Sequence, residues 1–156
     1  MSSGSFRERD VYFMGLALEE AGLAFSEGEV PVGAVLVSNE GIIISRARNK
    51  RESLQDPTAH AEVMALREGA CKANSWRLAG ATLYVTKEPC IMCAGAMINS
   101  RLGRLVYGCR DSKGGAVGSL YNLLEDKRLN HQVEVLSGVF EEECASLLKE
   151  FFEERR

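Results

Sequence analysis

Strand-forming apolar runs alternate with helical stretches along almost the whole chain, and that alternation leaves few folds open. Residues 9–27 put Val11, Met14, Leu18, Ala21 and Phe25 at helical spacing, with Gly28 set to end the helix. Two β-rich runs follow on either side of Asn39-Glu40-Gly41, which has the composition of a hairpin turn. Asp56-Pro57-Thr58 supplies a cap and a proline for a helix start, with Asp56 or Thr58 as the cap, and the helix runs to about Asn74. The chain then predicts a strand at 81–86, a helix from 89 to about 100, a strand at 104–108 and, after Gly114-Gly115, a short helix near 116–124. Residues 133–136 form the last expected strand, and Phe140, Cys144, Leu148 and Phe151 mark one face of a terminal helix. A hairpin followed by strands that alternate with helices implies an α/β fold. Its five strands form a mixed, largely parallel sheet with helices on both faces.

A chain of 156 residues is expected to fold as one domain, 1–156, with the polar residues 1–9 as a tail. No apolar run approaches the roughly 18 residues of a membrane span, and the start MSSGSFRERD lacks the apolar core of a secretory signal. The expectation is therefore a cytoplasmic protein with no membrane partner. Five cysteines, an odd number, read as reduced thiols for metal or packing rather than a disulfide framework. The net charge of −3, taken whole, does not suggest nucleic acid, but it is unevenly spread. Residues 1–43 carry two Lys/Arg against seven Asp/Glu, 44–131 fourteen against eight, and 132–156 three against seven. A basic middle suits a phosphate-binding face, and a merely solvated surface would look the same.

Two fragments carry the chemistry: His60-Ala61-Glu62 and Pro89-Cys90-Ile91-Met92-Cys93, each opening an expected helix. A helix N-terminus favours the thiolate that a metal requires. Cys90 and Cys93, three residues apart, can turn both sulfurs to one point. One imidazole and two thiolates make three ligands of a zinc site whose fourth position is left for water, the catalytic rather than structural arrangement. Residues two apart on a regular helix do not share a face, so Glu62 reaches the site only if the metal sits over the helix end. There it would touch the bound water without being a ligand and move a proton from water to a leaving amine. A redox Cys-x-x-Cys pair would leave His-x-Glu unexplained. Cys71, Cys109 and His131, the other conceivable ligands, lack short ligand spacing and read as packing residues.

The pattern H-x-E…P-C-x-x-C matches the zinc deaminases. The stretches EVPVGAVLV, DPTAHAEVMALREG, ATLYVTKEPCIMCAGAMINSR and GSLYNLL…LNH resemble the bacterial tRNA-specific adenosine deaminases over residues 10–155, enzymes that convert a wobble adenosine of arginine tRNA to inosine. That resemblance implies a three-layer α/β/α cytidine deaminase-like fold and a homodimer. It implies one Zn2+ per chain on His60, Cys90 and Cys93, with Glu62 as proton shuttle. Asn49 matches a residue that bonds the flipped adenosine and Asp111 one near the anticodon loop of a tRNA stem-loop; Arg110 and Lys113 beside it are placed either to meet phosphates or simply to carry surface charge. Guanine deaminases resemble the chain through DPTAHAEV and EPC-x-MC, so those strings do not decide; EVPVGA, GSLYNLL and the basic middle tip the balance toward tRNA, with a free nucleobase or nucleoside such as guanine or cytidine as the alternative substrate. A catalytically idle RNA-binding subunit is the remaining alternative, and the retained Glu62 speaks against it. Ala94, Met97 and Ile98 form a stripe suited either to a chain–chain contact or to the core.

Overall fold

Five strands, β1 (Gly33–Val37), β2 (Ile43–Arg48), β3 (Thr82–Lys87), β4 (Arg104–Cys109) and β5 (Glu134–Ser137), join in one sheet in the order β2-β1-β3-β4-β5. The computed structural model describes residues 7–155, so residues 1–6 of the expected tail lie outside the described residues. Glu8 and Arg9, also assigned to that tail, instead open the first helix, α1 (Glu8–Ser26). The hairpin forms where expected, with Gly41 at φ 86° closing its turn and donating its N–H to the Ser38 carbonyl at 2.9 Å. Because β1 lies between β2 and β3, both of its ladders are antiparallel, while β3, β4 and β5 run parallel. The sheet is mixed as expected, but half of its pairings are parallel rather than most.

Strand periodicity sends alternate side chains to two cores. Val35 and Val37 of β1 pack with Phe13, Met14 and Ala17 of α1, and Val106 and Tyr84 join them on that face. Ala34 and Leu36 face the other way, into a cluster with Ala65, Leu66, Ala94 and Met97. Those residues belong to α3 (Ala61–Ala73) and α4 (Ile91–Asn99). Helix α5 (Glu141–Glu154) lies beside α1, where Phe25 and Phe151 meet edge to face at 5.7 Å. The result is the three-layer α/β/α arrangement. Met14, Leu36, Leu83, Met97 and Leu105 are completely buried, each worth about 1.5–3 kcal/mol. Ala94, Met97 and Ile98 are thus core residues of this chain, not a surface stripe.

Three local expectations differ from the structure. Asp56 does not cap a helix; its Oδ1 accepts both the N–H and the hydroxyl of Thr58 at 2.8 Å, closing a turn that delays α3 until Ala61. A short helix not read from the sequence, α2 (Arg51–Leu54), precedes it. The helix expected near 116–124 is an irregular loop with a single bridge, Val117 to Asn122, and a 3-10 turn at Leu123–Glu125. The N–H groups of Val117 and Ser119 bond to a side chain, Glu88, while those of Leu120 and Leu123 reach the carbonyls of Gly115 and Ala116 in a non-helical pattern. Among the described residues no helix is long and apolar enough to cross a membrane.

Candidate active site

Helices α3 and α4 begin side by side at the carboxyl end of β3, where sites form in open α/β sheets. His60 and Cys90 are the N-cap residues of the two helices, and both have extended backbones (φ −77°, ψ 147° and φ −81°, ψ −179°). Their side chains therefore leave the helix ends and not the helix flanks. This resolves the spacing problem of His-x-Glu, because His60 precedes the helix while Glu62 sits in its first turn. The His60 carbonyl still accepts the first intrahelical bond, from Met64 N–H at 3.0 Å.

His60 Nδ1, Cys90 Sγ and Cys93 Sγ close a triangle with sides of 3.6, 3.7 and 3.5 Å. An ion held tetrahedrally at zinc bond lengths sets sulfur–sulfur separations of roughly 3.8 Å and sulfur–nitrogen separations of roughly 3.6 Å. The three donors thus stand where one metal ion would hold them, and among the described residues they are the group able to do so. The Cys90 thiol, hydrogen-bonded with Cys93 and His60 at a helix N-terminus, is lowered to about 3 despite its partial burial. The His60 imidazole is raised by its Cys90 partner. Burial pushes the Glu62 carboxyl up. Cys71 is exposed rather than packed, Cys109 is buried, and His131 bonds the Leu102 carbonyl at 2.8 Å, so none joins the group.

The triangle opens into a cleft of about 170 Å³, lined among others by Glu62, Asn49, Lys87 and Asp111. Asn49 is buried; its Nδ2 donates to the Val30 carbonyl at 3.2 Å and its Oδ1 accepts Arg51 N–H at 3.1 Å. Asp111 stands on the rim, where its Oδ1 accepts the N–H groups of Lys113 and Gly114, both at 3.1 Å. Its Oδ2 pairs with Lys87 Nζ at 3.2 Å. Burial alone would raise that carboxyl, but these partners hold it below the usual carboxylate range. Arg110 and Lys113 flank it, exposed. Sequence reasoning did not single out Glu29, Glu88, Lys87 or Phe152, though the last three line the cleft and Glu29 bonds the α2 end beside it. For Glu29 the available signal was an acid leading an apolar stretch, EVPVGAVLV, which asks for buried partners.

This fold and donor group define a deaminase, and the family model of the MafB19-like deaminases matches residues 8–156. The tRNA-specific adenosine deaminase of Bacillus subtilis (strain 168) is 56% identical over 149 residues, covering 95% of this chain and 91% of that protein. A structure solved in studies of A-to-I editing by tRNA:A34 deaminases at the wobble position of transfer RNA matches with a TM-score of 0.84 at 46% identity, covering 88% of this chain and 99% of that one. Guanine deaminase from Nitrosomonas europaea has the same fold, with a TM-score of 0.79 at 23% identity over 90% of this chain and 83% of that one. The chain belongs to the family of tRNA-specific adenosine deaminases.

Proposed function

We propose that this chain hydrolyses the exocyclic amine of the wobble adenosine in tRNA, arginine tRNA first of all, giving inosine and ammonia. The observation that carries the reading is the triangle of His60, Cys90 and Cys93 beside buried Glu62, in a chain of this family. The donor set fits one zinc ion per chain. When bound, zinc supplies a Lewis acid that lowers the pKa of water to about 7.

The remaining work falls to side chains of this chain. Glu62, buried and raised, is able to hold a proton taken from the attacking water and hand it to the departing amine. Asn49 keeps one N–H and one lone pair beyond its two backbone bonds, and these serve the nucleotide. Asp111 meets the anticodon loop from the rim, with Arg110 and Lys113 toward its phosphates. A base stacked in a duplex cannot enter this cleft, so the target is unpaired or flipped, as in an anticodon loop. The reading includes two chains per molecule, on the strength of the family resemblance, working in the cytoplasm where tRNA is found.

The test offers an arginine-tRNA anticodon stem-loop against free adenosine, guanine and cytidine, with inosine and ammonia as readouts. Inosine appears at the wobble position, and free adenosine reacts far more slowly because remote RNA contacts orient the reacting base. Rapid ammonia release from a free base or nucleoside, with the stem-loop untouched, overturns the reading.

A further inference from the structure

Glu88 directly follows β3, two residues before Cys90, and is 2% exposed. Its carboxylate accepts four hydrogen bonds from one loop. Oε1 takes the Asp111 N–H at 3.0 Å and the Ser119 hydroxyl at 2.5 Å; Oε2 takes the N–H groups of Val117 at 3.2 Å and Ser119 at 2.9 Å. Gly115 passes so close that a Cβ there would lie 2.3 Å from the carboxyl carbon. The loop has almost no regular structure of its own, so this one side chain satisfies one buried and two part-buried N–H groups that lie outside any helix or strand ladder. At one end the loop carries Asp111 on the rim of the cleft.

We infer that Glu88 is a positioning residue for this reaction, fixing Asp111 on the rim relative to the Cys90 end of the metal group, and so governing how the substrate loop is held rather than how the amine leaves. The inference rests on the deaminase reading of the cleft.

Glu88→Gln isolates the role. An amide must turn its NH2 toward one of the two donor pairs. The Oε1 side accommodates it better, because the Ser119 hydroxyl rotates to accept, whereas Val117 and Ser119 N–H cannot. The Asp111 N–H is then the group left without an acceptor. Loss of that bond predicts an Asp111 amide that exchanges hydrogen about tenfold faster or more. KM for the stem-loop rises by about tenfold while kcat changes several-fold less, and metal content stays at the wild-type level. Unchanged KM with unchanged exchange overturns the inference. So does a partial loss of metal with kcat lowered in proportion and KM unaltered, which would assign Glu88 to the centre.

If Glu88→Gln does not fold, Ser119→Ala and Gly115→Ala carry the test. The first removes one donor, the Ser119 hydroxyl, from the carboxylate and the second forces the carboxylate aside, so both raise KM with metal retained, the second more strongly. Wild-type KM in both overturns the inference. A wild-type enzyme inactive on the stem-loop would instead remove the substrate reading, and the exchange of Asp111 would still judge Glu88.

Discussion

The metal-binding group and the rim of the cleft are built in opposite ways. The group comes from two short windows of sequence, each placed by a helix start, with Ala94 and Met97 buried behind it. The rim consists of irregular or barely helical segments, each tied to a buried carboxylate from far along the chain. Glu29 accepts the N–H groups of Glu52 at 3.0 Å and Ser53 at 2.6 Å, fixing the segment after Asn49; Glu88 does the same for 111–119. On the proposed function, chemistry would therefore rest on local geometry, and recognition on long-range pairing. Damage to the first should end turnover, whereas damage to the second should change how substrate is held.

The largest effects are expected at the proposed ligands. His60→Ala or Cys90→Ala should drop metal from about one per chain to a small fraction, abolish turnover and lower stability, because metal binding is coupled to folding. Metal analysis and thermal unfolding read both effects, and full occupancy in either variant would remove the ligand assignment. Next comes Glu62→Gln, which has nearly the same shape but cannot carry a proton. It should retain metal and fold while losing about 10²–10⁴ in kcat on the stem-loop. A variant keeping more than about a tenth of the wild-type rate would end the shuttle role.

The same contrast explains what could be read from the chain. His60, Glu62, Cys90 and Cys93 were legible because each pair lies within four residues and both pairs fall at helix starts. Strands and major helices were legible from their periods, and the faces of β1 follow directly from its alternation. The loop at 116–124 was not, because two of its N–H groups, those of Val117 and Ser119, answer to Glu88, some thirty residues earlier, and no local pattern reports that partner. The true start of α3 was missed for a related reason: Asp56 satisfies Thr58 and a turn in place of a helix end. The excess of parallel pairing was an error of topology, since periodicity does not say which strand β1 inserts beside.

A smaller effect is expected at the rim. Asn49→Ala should lower kcat/KM on the stem-loop by about tenfold, the worth of one or two hydrogen bonds, and leave metal content intact. Asn49→Asp is the sharper companion: it keeps an acceptor for Arg51 N–H and loses the donor, so a defect as large as that of alanine would assign the contribution to the Nδ2 group. Activity of Asn49→Ala equal to wild type, measured over a full KM series, would break the division between centre and rim.

The smallest effect on turnover is expected from Asp10, whose lesion is one of stability alone. Asp10 of α1 is fully buried, and its carboxylate accepts both terminal nitrogens of Arg104 at 2.8 Å and the Tyr84 hydroxyl at 2.8 Å. Burial by itself would raise this carboxyl, but the bonds from Arg104 and Tyr84 prevail and hold it below the usual carboxylate range. A depressed folded-state pKa stabilises the protein fully above the unfolded value of about 4, and that contribution is lost as pH falls through the lower folded value. Asp10→Asn leaves the largely buried Arg104 with only the exposed Glu134 carboxylate, 3.7 Å from its Nε, as counter-charge, which should cost about 3 kcal/mol at neutral pH. Denaturant unfolding of the two proteins should therefore show the gap at pH 7 narrowing as the buffer is taken below about pH 4. A gap that stayed constant across that range would mean the ion pair is not its source. Stem-loop KM at 25 °C, well below the unfolding transition, should match wild type. A KM shifted as far as that of Asn49→Ala would mean that loss of global stability alone reproduces rim damage, and the contrast between centre and rim would fail.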